Sequence, residues 1–270
     1  MSAIDFENLD TWPDEFRSLL ESEDEQLKGY FDRRDEIEKL QRKDVAARVN
    51  PPNNPYKDHR RRVIQRSYSI LKGQHLACWH CTRLLDHELH EVRKNGLLPL
   101  TPKLVETRLE RAVRYGHLTQ EIADRLRCQE VSADTSRRDR VCFVNERSIL
   151  TYEGDVICLL SYWGGEAVYG PIQLDPLLQE VSSIGKATIL HCSVPLDDLS
   201  LFNEQEDGLD IAERLINRYF VSKGYPVHDI ASLETSKRSA MPASMIVEVC
   251  QSGDAKFEEL TECSNWGARV

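Results

Sequence analysis

Over residues 12–40 apolar side chains recur at helical intervals, with Phe16, Leu19, Leu20, Leu27, Tyr30, Phe31, Ile37 and Leu40 set among many charges. That spacing lines them along one face of a helix, so the chain is expected to open with amphipathic helices. Pro51, Pro52 and Pro55 then interrupt the pattern. Each lacks an amide donor and restricts the residue before it, which predicts a linker or a long turn. A short helix over residues 59–71 follows, opened by His59-Arg60-Arg61-Arg62. Its basic face suits either solvent or a phosphate.

Farther on, helical periodicity alternates with short apolar runs. Residues 75–81 read as a buried strand, and residues 86–94 as a helix stopped by Asn95-Gly96. Two more helices are expected over residues 101–115 and 119–127, parted at Gly116. After a polar stretch at 132–140, strands are expected at 141–144, 156–162, 187–194 and 245–250, with an amphipathic helix at 210–222. The mixture predicts an α+β fold with a helical N-terminal extension over residues 1–55 and a main domain over 56–270. No internal repeat or low-complexity segment interrupts it.

Composition narrows the function. The 270 residues are 40% hydrophobic, enough for a packed core, and carry a formal net charge of −10. No global positive field therefore draws the protein to nucleic acid or to an anionic membrane, and a nucleic-acid partner needs a local basic surface. No apolar run reaches the roughly 18 residues of a membrane span, and the acidic start lacks the regions of a signal peptide. A cytoplasmic protein with no membrane partner is expected. The eight cysteines are scattered through apolar runs, as reduced buried thiols are. Cys78-Trp79-His80-Cys81 is a CxxC, but no second CxxC or HxxxH completes a four-ligand set, so no metal is expected. It also sits late in a strand, not at the helix start that makes such a thiol reactive.

The segment Leu76-Ala77-Cys78-Trp79-His80-Cys81-Thr82-Arg83, followed by a helix and then Asn95-Gly96-Leu97, resembles the first NAD-binding motif of the ADP-ribosyltransferase superfamily. In the poly-ADP-ribose polymerase branch that motif is a strand bearing Trp-His-x-Ser/Thr-Arg, a helix, and Gly-Leu. The resemblance extends over residues 60–250 and implies an ADP-ribosyltransferase-like split mixed β-sheet core. It implies NAD as substrate, contacted by His80, Cys81, Thr82, Arg83, Gly96 and Leu97. An imidazole and a hydroxyl at a strand end can hold the ribose of the nicotinamide half open to attack.

At the family's second motif, Arg140-Val141-Cys142-Phe143-Val144-Asn145 departs from the usual tyrosine and leaves Phe143 or its neighbour to stack on nicotinamide. The third motif needs a glutamate that stabilises the charge formed as nicotinamide leaves. Glu234 precedes Met241-Pro242-Ala243 and the final strand, an order that resembles bacterial ADP-ribosyltransferase toxins. Glu166, in Trp163-Gly164-Gly165-Glu166, is the competing acid, since paired glycines can bring backbone close to a ligand.

The resemblance thus implies an NAD-dependent transferase that modifies a macromolecular acceptor, protein or nucleic acid. It further implies a bacterial toxin or phage-defence effector held by an inhibitory partner protein. The alternatives are an inactive binding module on the same cleft, an NAD glycohydrolase, an RNA 2′-phosphotransferase relative, which would want more basic residues around its pocket, and a thiol redox protein.

Overall fold

In the computed structural model, described over residues 3–128, 137–151, 154–172, 175–201, 207–225, 227 and 233–263, the chain is mixed α/β. Helices α1 (Asp14–Ser22), α2 (Asp24–Lys43), α3 (Val45–Val49) and α4 (Lys57–Leu71) precede strand β1 (His75–Leu84). Helices α5 (Asp86–Asn95), α6 (Pro102–Arg114) and α7 (Gln120–Cys128) lead to β2 (Val141–Val144). Then come α8 (Gly154–Ser161), α9 (Glu166–Tyr169), α10 (Leu177–Ser182), β3 (Lys186–Pro195) and β4 (Ser200–Leu201). The chain continues through α11 (Asp207–Ser222), β5 (Glu234–Lys237), β6 (Ile246–Gln251) and α12 (Ala255–Thr261). No helix among the described residues is long and apolar enough to cross a membrane.

The strands form one open sheet in the order β4-β5-β2-β1-β3-β6. Its ladders are all antiparallel, where a mixed sheet was expected; the parallel contact is an isolated bridge between Ile4 and Leu76. The joints differ greatly in width. β1 pairs with β3 along its whole length, from His75↔Pro195 to Leu84↔Lys186. It meets β2 through the single register pair Trp79↔Val144. Beyond that pair β2 leaves β1, and a fork opens between them.

Strand alternation sorts the core. Leu76 and Cys78 face a large cluster with Phe16, Leu27 and Phe220, whereas Ala77, Trp79 and Cys81 face a second cluster with Leu160 and Phe257. A third cluster, including Leu109, Leu126, Trp163 and Val181, packs α6, α7, α9 and α10 together. The same alternation puts Cys78 and Cys81 on opposite faces, so the CxxC cannot hold one ion. Burial pushes both thiols up, Cys81 to about 12, which keeps them protonated and inert.

Two elements differ from their sequence reading. Residues 156–162, expected as a strand, fall largely in helix α8, which packs Val156 and Leu160 against the sheet. A short run apolar on all sides carries no periodicity to separate the two states, and the β-branched Val156 and Ile157 favoured the wrong one. Strand β5 has no apolar run at all. Its side chains from Thr235 to Lys237 are buried and satisfied internally: Thr235 donates to Asn145 (2.9 Å), Ser200 and Ser236 bond across the joint (3.2 Å), and Lys237 pairs with Asp198 (2.6 Å).

The N-terminal helices share the main core instead of standing apart from it at residue 55. The Ile4 amide donates to the His75 carbonyl and the Ala77 amide to the Ile4 carbonyl, both at 2.8 Å. Trp12, Phe16, Leu20, Leu27 and Phe31 are buried in the cluster that also holds Leu76 and Leu190. The basic run that opens α4 is partly spent inside the molecule, since Arg60 pairs with Glu213 and lies 4.6 Å over the Tyr30 ring.

Each of these five large side chains is worth about 2 kcal/mol on burial, so removing them together costs about 10 kcal/mol, comparable with a whole net stability of about 5–15 kcal/mol. Deletion of residues 1–50 is therefore expected to leave a chain with no cooperative thermal transition by circular dichroism. A soluble remainder that melts cooperatively would show that the helices are an appendage.

Candidate functional site

The fork between β1 and β2 opens into a cavity of about 550 Å3 lined by His80, Thr82, Gly96, Leu97, Glu166 and Glu234, among others. That volume suits a small molecule or a dinucleotide. The residues come from segments more than 150 positions apart, and the sheet order brings them together.

His80 sits at the mouth of the fork. Its Nδ1 lies 2.9 Å from the carbonyl oxygen of Cys142 on β2. A carbonyl only accepts, so Nδ1 carries the proton and the neutral ring offers Nε2 as an acceptor. Burial pushes the imidazole below its ordinary value; the Cys142 carbonyl opposes this and the charge of Arg108 adds to it. Thr82, two residues on, shares the His80 face of β1 and is buried against the cavity.

Several expected ligand contacts have other employment. Arg83 alternates to the opposite face and does not line the cavity. Its guanidinium donates to the carbonyls of Ile184 and Gly185, both at 2.8 Å, and of Leu160 at 3.3 Å, tying β1 to the turn before β3 and to the end of α8. The Cys81 side chain is packed in the core with Ile189 and Phe257, so its backbone is what it can present to a ligand. Phe143 borders the cavity but is only 2% exposed, with its ring steeply inclined to that of His80 at 6.2 Å, so it offers little ring surface for stacking.

Gly96 and Leu97 border the cavity for a reason the chain itself supplies. Leu97 forms an antiparallel bridge with Met241, with amide-to-carbonyl distances of 2.9 Å in both directions. A Cβ on Gly96, whose φ is +86°, would fall 1.8 Å from the Met241 carbonyl oxygen. Glycine is required there by backbone packing before any ligand is considered.

The two candidate acids stand on different supports. Glu234 opens β5 opposite Val144, and register puts it on the Trp79 side of the sheet while His80 leaves from the other side, so the two flank the fork. Glu166 opens α9 after Gly164 and Gly165, both at positive φ, and forms a 2.5 Å ion pair with Arg137. The paired glycines thus make the turn into α9, following a helix where a strand was expected.

Sequence reasoning missed the charged wall made by α6. Arg108 and Arg111 line the cavity with Arg137 and Arg140, each already engaged by the protein. Arg111 pairs with Glu91 (2.5 Å) and Arg140 donates to Ser236 (2.9 Å). Arg108 Nε lies 2.6 Å from Glu88, a carboxylate buried to 8% exposure that also accepts from the Leu85 amide and the Trp163 indole, both at 2.9 Å. Burial alone would raise the Glu88 carboxyl; Arg108 and the two N–H donors outweigh it and hold the group below its usual value. The signal was present in α6, where Val105, Leu109 and Ala112 mark the core stripe and Thr107, Arg108 and Arg111 lie off it. Among the described residues no cluster of three or more His, Cys, Asp or Glu forms a metal site.

Comparison with protein-family models, curated proteins and solved structures finds no match to this chain.

Two outcomes follow from this geometry. Gly96→Ala must displace the Met241 turn and should cost about 2 kcal/mol or more, read as a drop in thermal midpoint; an unchanged midpoint would show that the approach is not tight. Burial lowers the imidazoles of His80, His87 and His191. The unfolded chain then takes up protons near the ordinary value of about 6.5 that the fold refuses, so stability is level above that pH and declines below it. The midpoint should be lower at about pH 5.5 than at about pH 7.5, a window above carboxylate titration; equal midpoints would contradict the burial of these rings.

Proposed function

We propose that the fork binds NAD and that the protein transfers ADP-ribose from it to a macromolecular acceptor on an ADP-ribosyltransferase-like fold. The observation that carries this reading is the convergence on one cavity of His80 and Thr82 from the segment that resembles the first motif, Phe143 from the second and Glu234 from the third. The near-division of the sheet at Trp79↔Val144 adds support, because a split core is what the resemblance implies.

In this reaction the neutral His80 Nε2 and the Thr82 hydroxyl hydrogen-bond the ribose next to nicotinamide. The glycosidic C–N bond breaks and its electron pair leaves with nicotinamide. Positive charge grows on the ribose, and the Glu234 carboxylate stabilises it. The acceptor's oxygen or nitrogen forms the new bond at the same carbon and releases a proton. Glu234 is favoured over Glu166 because it follows β3 and precedes the final strand β6, the place the third motif takes in the resemblance, whereas Glu166 comes before β3. The burial of Phe143, which leaves little ring surface for nicotinamide, favours a second reading, a binding module without turnover.

Nicotinamide release from labelled NAD, with the label followed into protein, nucleic acid or free ADP-ribose in a cell lysate, separates these readings. Glu234→Gln should lower turnover by about a hundredfold or more with little change in NAD affinity, while Glu166→Gln retains turnover. If Glu166→Gln alone loses it, the acid lies in the Gly-Gly-Glu turn; if the wild type binds NAD without releasing nicotinamide, the protein is a binding module. His80 has two jobs, so its variants separate fold from site. Asn at position 80 can keep the donor to the Cys142 carbonyl and lacks Nε2; His80→Asn should hold the thermal midpoint and lose NAD binding. Retention of both would remove His80 from the site.

A further inference from the structure

Among the cations of the cavity, Arg108 is held in a way its neighbours are not. Glu88 takes its Nε at 2.6 Å and its Nη2 at 3.4 Å, and the Arg83 carbonyl takes Nη2 at 3.3 Å. The guanidinium also lies 5.0 Å over the Trp163 ring, whose own N–H is fixed by Glu88. One edge and one face of the fork are thereby locked. Among the described residues no acceptor takes Nη1, and the side chain keeps 19% of its exposure on the cavity wall. Burying a carboxylate at 8% exposure is costly unless its oxygens are satisfied, and those of Glu88 are, by Arg108, the Leu85 amide and the Trp163 indole. A planar fork with one edge immobilised presents its remaining donors without losing further side-chain freedom, which suits the oxygens of a phosphate. Arg111, on the same helix, lines the same wall with its charge met by Glu91.

We propose that Arg108 is the anion anchor of the cavity, with Glu88 and Trp163 as positioning residues, and that it binds the diphosphate of the ligand. The assignment rests on the NAD reading for the identity of that ligand, but the anchor itself requires only a phosphate anion. It makes the β1–α5–α6 corner a preset clamp, with Glu88 acting through Arg108 and touching no substrate.

Calorimetric titration of the full chain with NAD, inorganic pyrophosphate and nicotinamide riboside, which has no phosphate, tests this. Arg108→Lys keeps a cation beside Glu88 but has one donor group where the guanidinium has a fork. It should weaken NAD and pyrophosphate by about tenfold or more, leave nicotinamide riboside unchanged and hold the thermal midpoint. The double variant Glu88→Gln with Arg108→Gln removes both charges together, strands neither, and should show the same loss. Unchanged pyrophosphate affinity in both variants, or no pyrophosphate binding by the wild type, would overturn the anchor. Pyrophosphate binding that Arg108→Lys weakens, in a wild type that does not bind NAD, would uphold the anchor and remove the NAD reading.

Discussion

A strand that stops pairing leaves backbone groups that must find partners elsewhere, and the β1–β2 joint is where this protein meets that requirement. After Trp79↔Val144 the ladder ends, and the Cys142 carbonyl receives the His80 imidazole in place of a backbone amide. Leaving a buried carbonyl unpaired costs about 1–3 kcal/mol, so the side chain that fills the gap is part of the fold. The same bond fixes the tautomer and aims Nε2 outward. One interaction therefore holds the sheet open, closes its hydrogen-bond accounts and sets the chemistry of the opening.

The walls of the fork are built from charges neutralised in advance. Glu88 with Arg108 and Glu91 with Arg111 tie α5 to α6, and Glu166 with Arg137 ties α9 to the turn before β2, all through groups that face the cavity. Such pairs contribute little net stability, but a buried one broken on one side is costly, so they fix geometry. A ligand entering this space meets oriented donors instead of a diffuse positive field, consistent with a cavity rich in arginine inside a chain of net charge −10.

The sequence was most readable where burial follows one period. β1, β3, α5, α6 and α11 were expected close to where they lie, because each carries a clear apolar stripe or run. β5 was invisible for the opposite reason: its buried side chains are polar and satisfied by partners such as Asn145, Ser200 and Asp198, none of which is near it in sequence. The site divided along the same line. His80 and Thr82 could be placed from strand alternation, and Arg83 could have been excluded by it, since it falls on the opposite face. Glu88 could not be foreseen as a hub, because a glutamate in the first turn of a helix is ordinarily solvated and its roles here depend on Arg108 and Trp163. Gly96 matched a motif, yet its demand comes from Met241, which only the fold brings against it.

A ligand held in the fork as proposed meets the outward nitrogen of His80. The 15N spectrum of the imidazoles tests it directly, since each of the eight histidines reports its own ring nitrogens. Without ligand, His80 should appear as the neutral tautomer with the proton on Nδ1. On addition of NAD its Nε2 resonance should shift as that nitrogen accepts a ribose hydroxyl, while Nδ1 stays bonded to Cys142. Binding of NAD with both His80 nitrogens unmoved would place the ligand elsewhere and contradict the account.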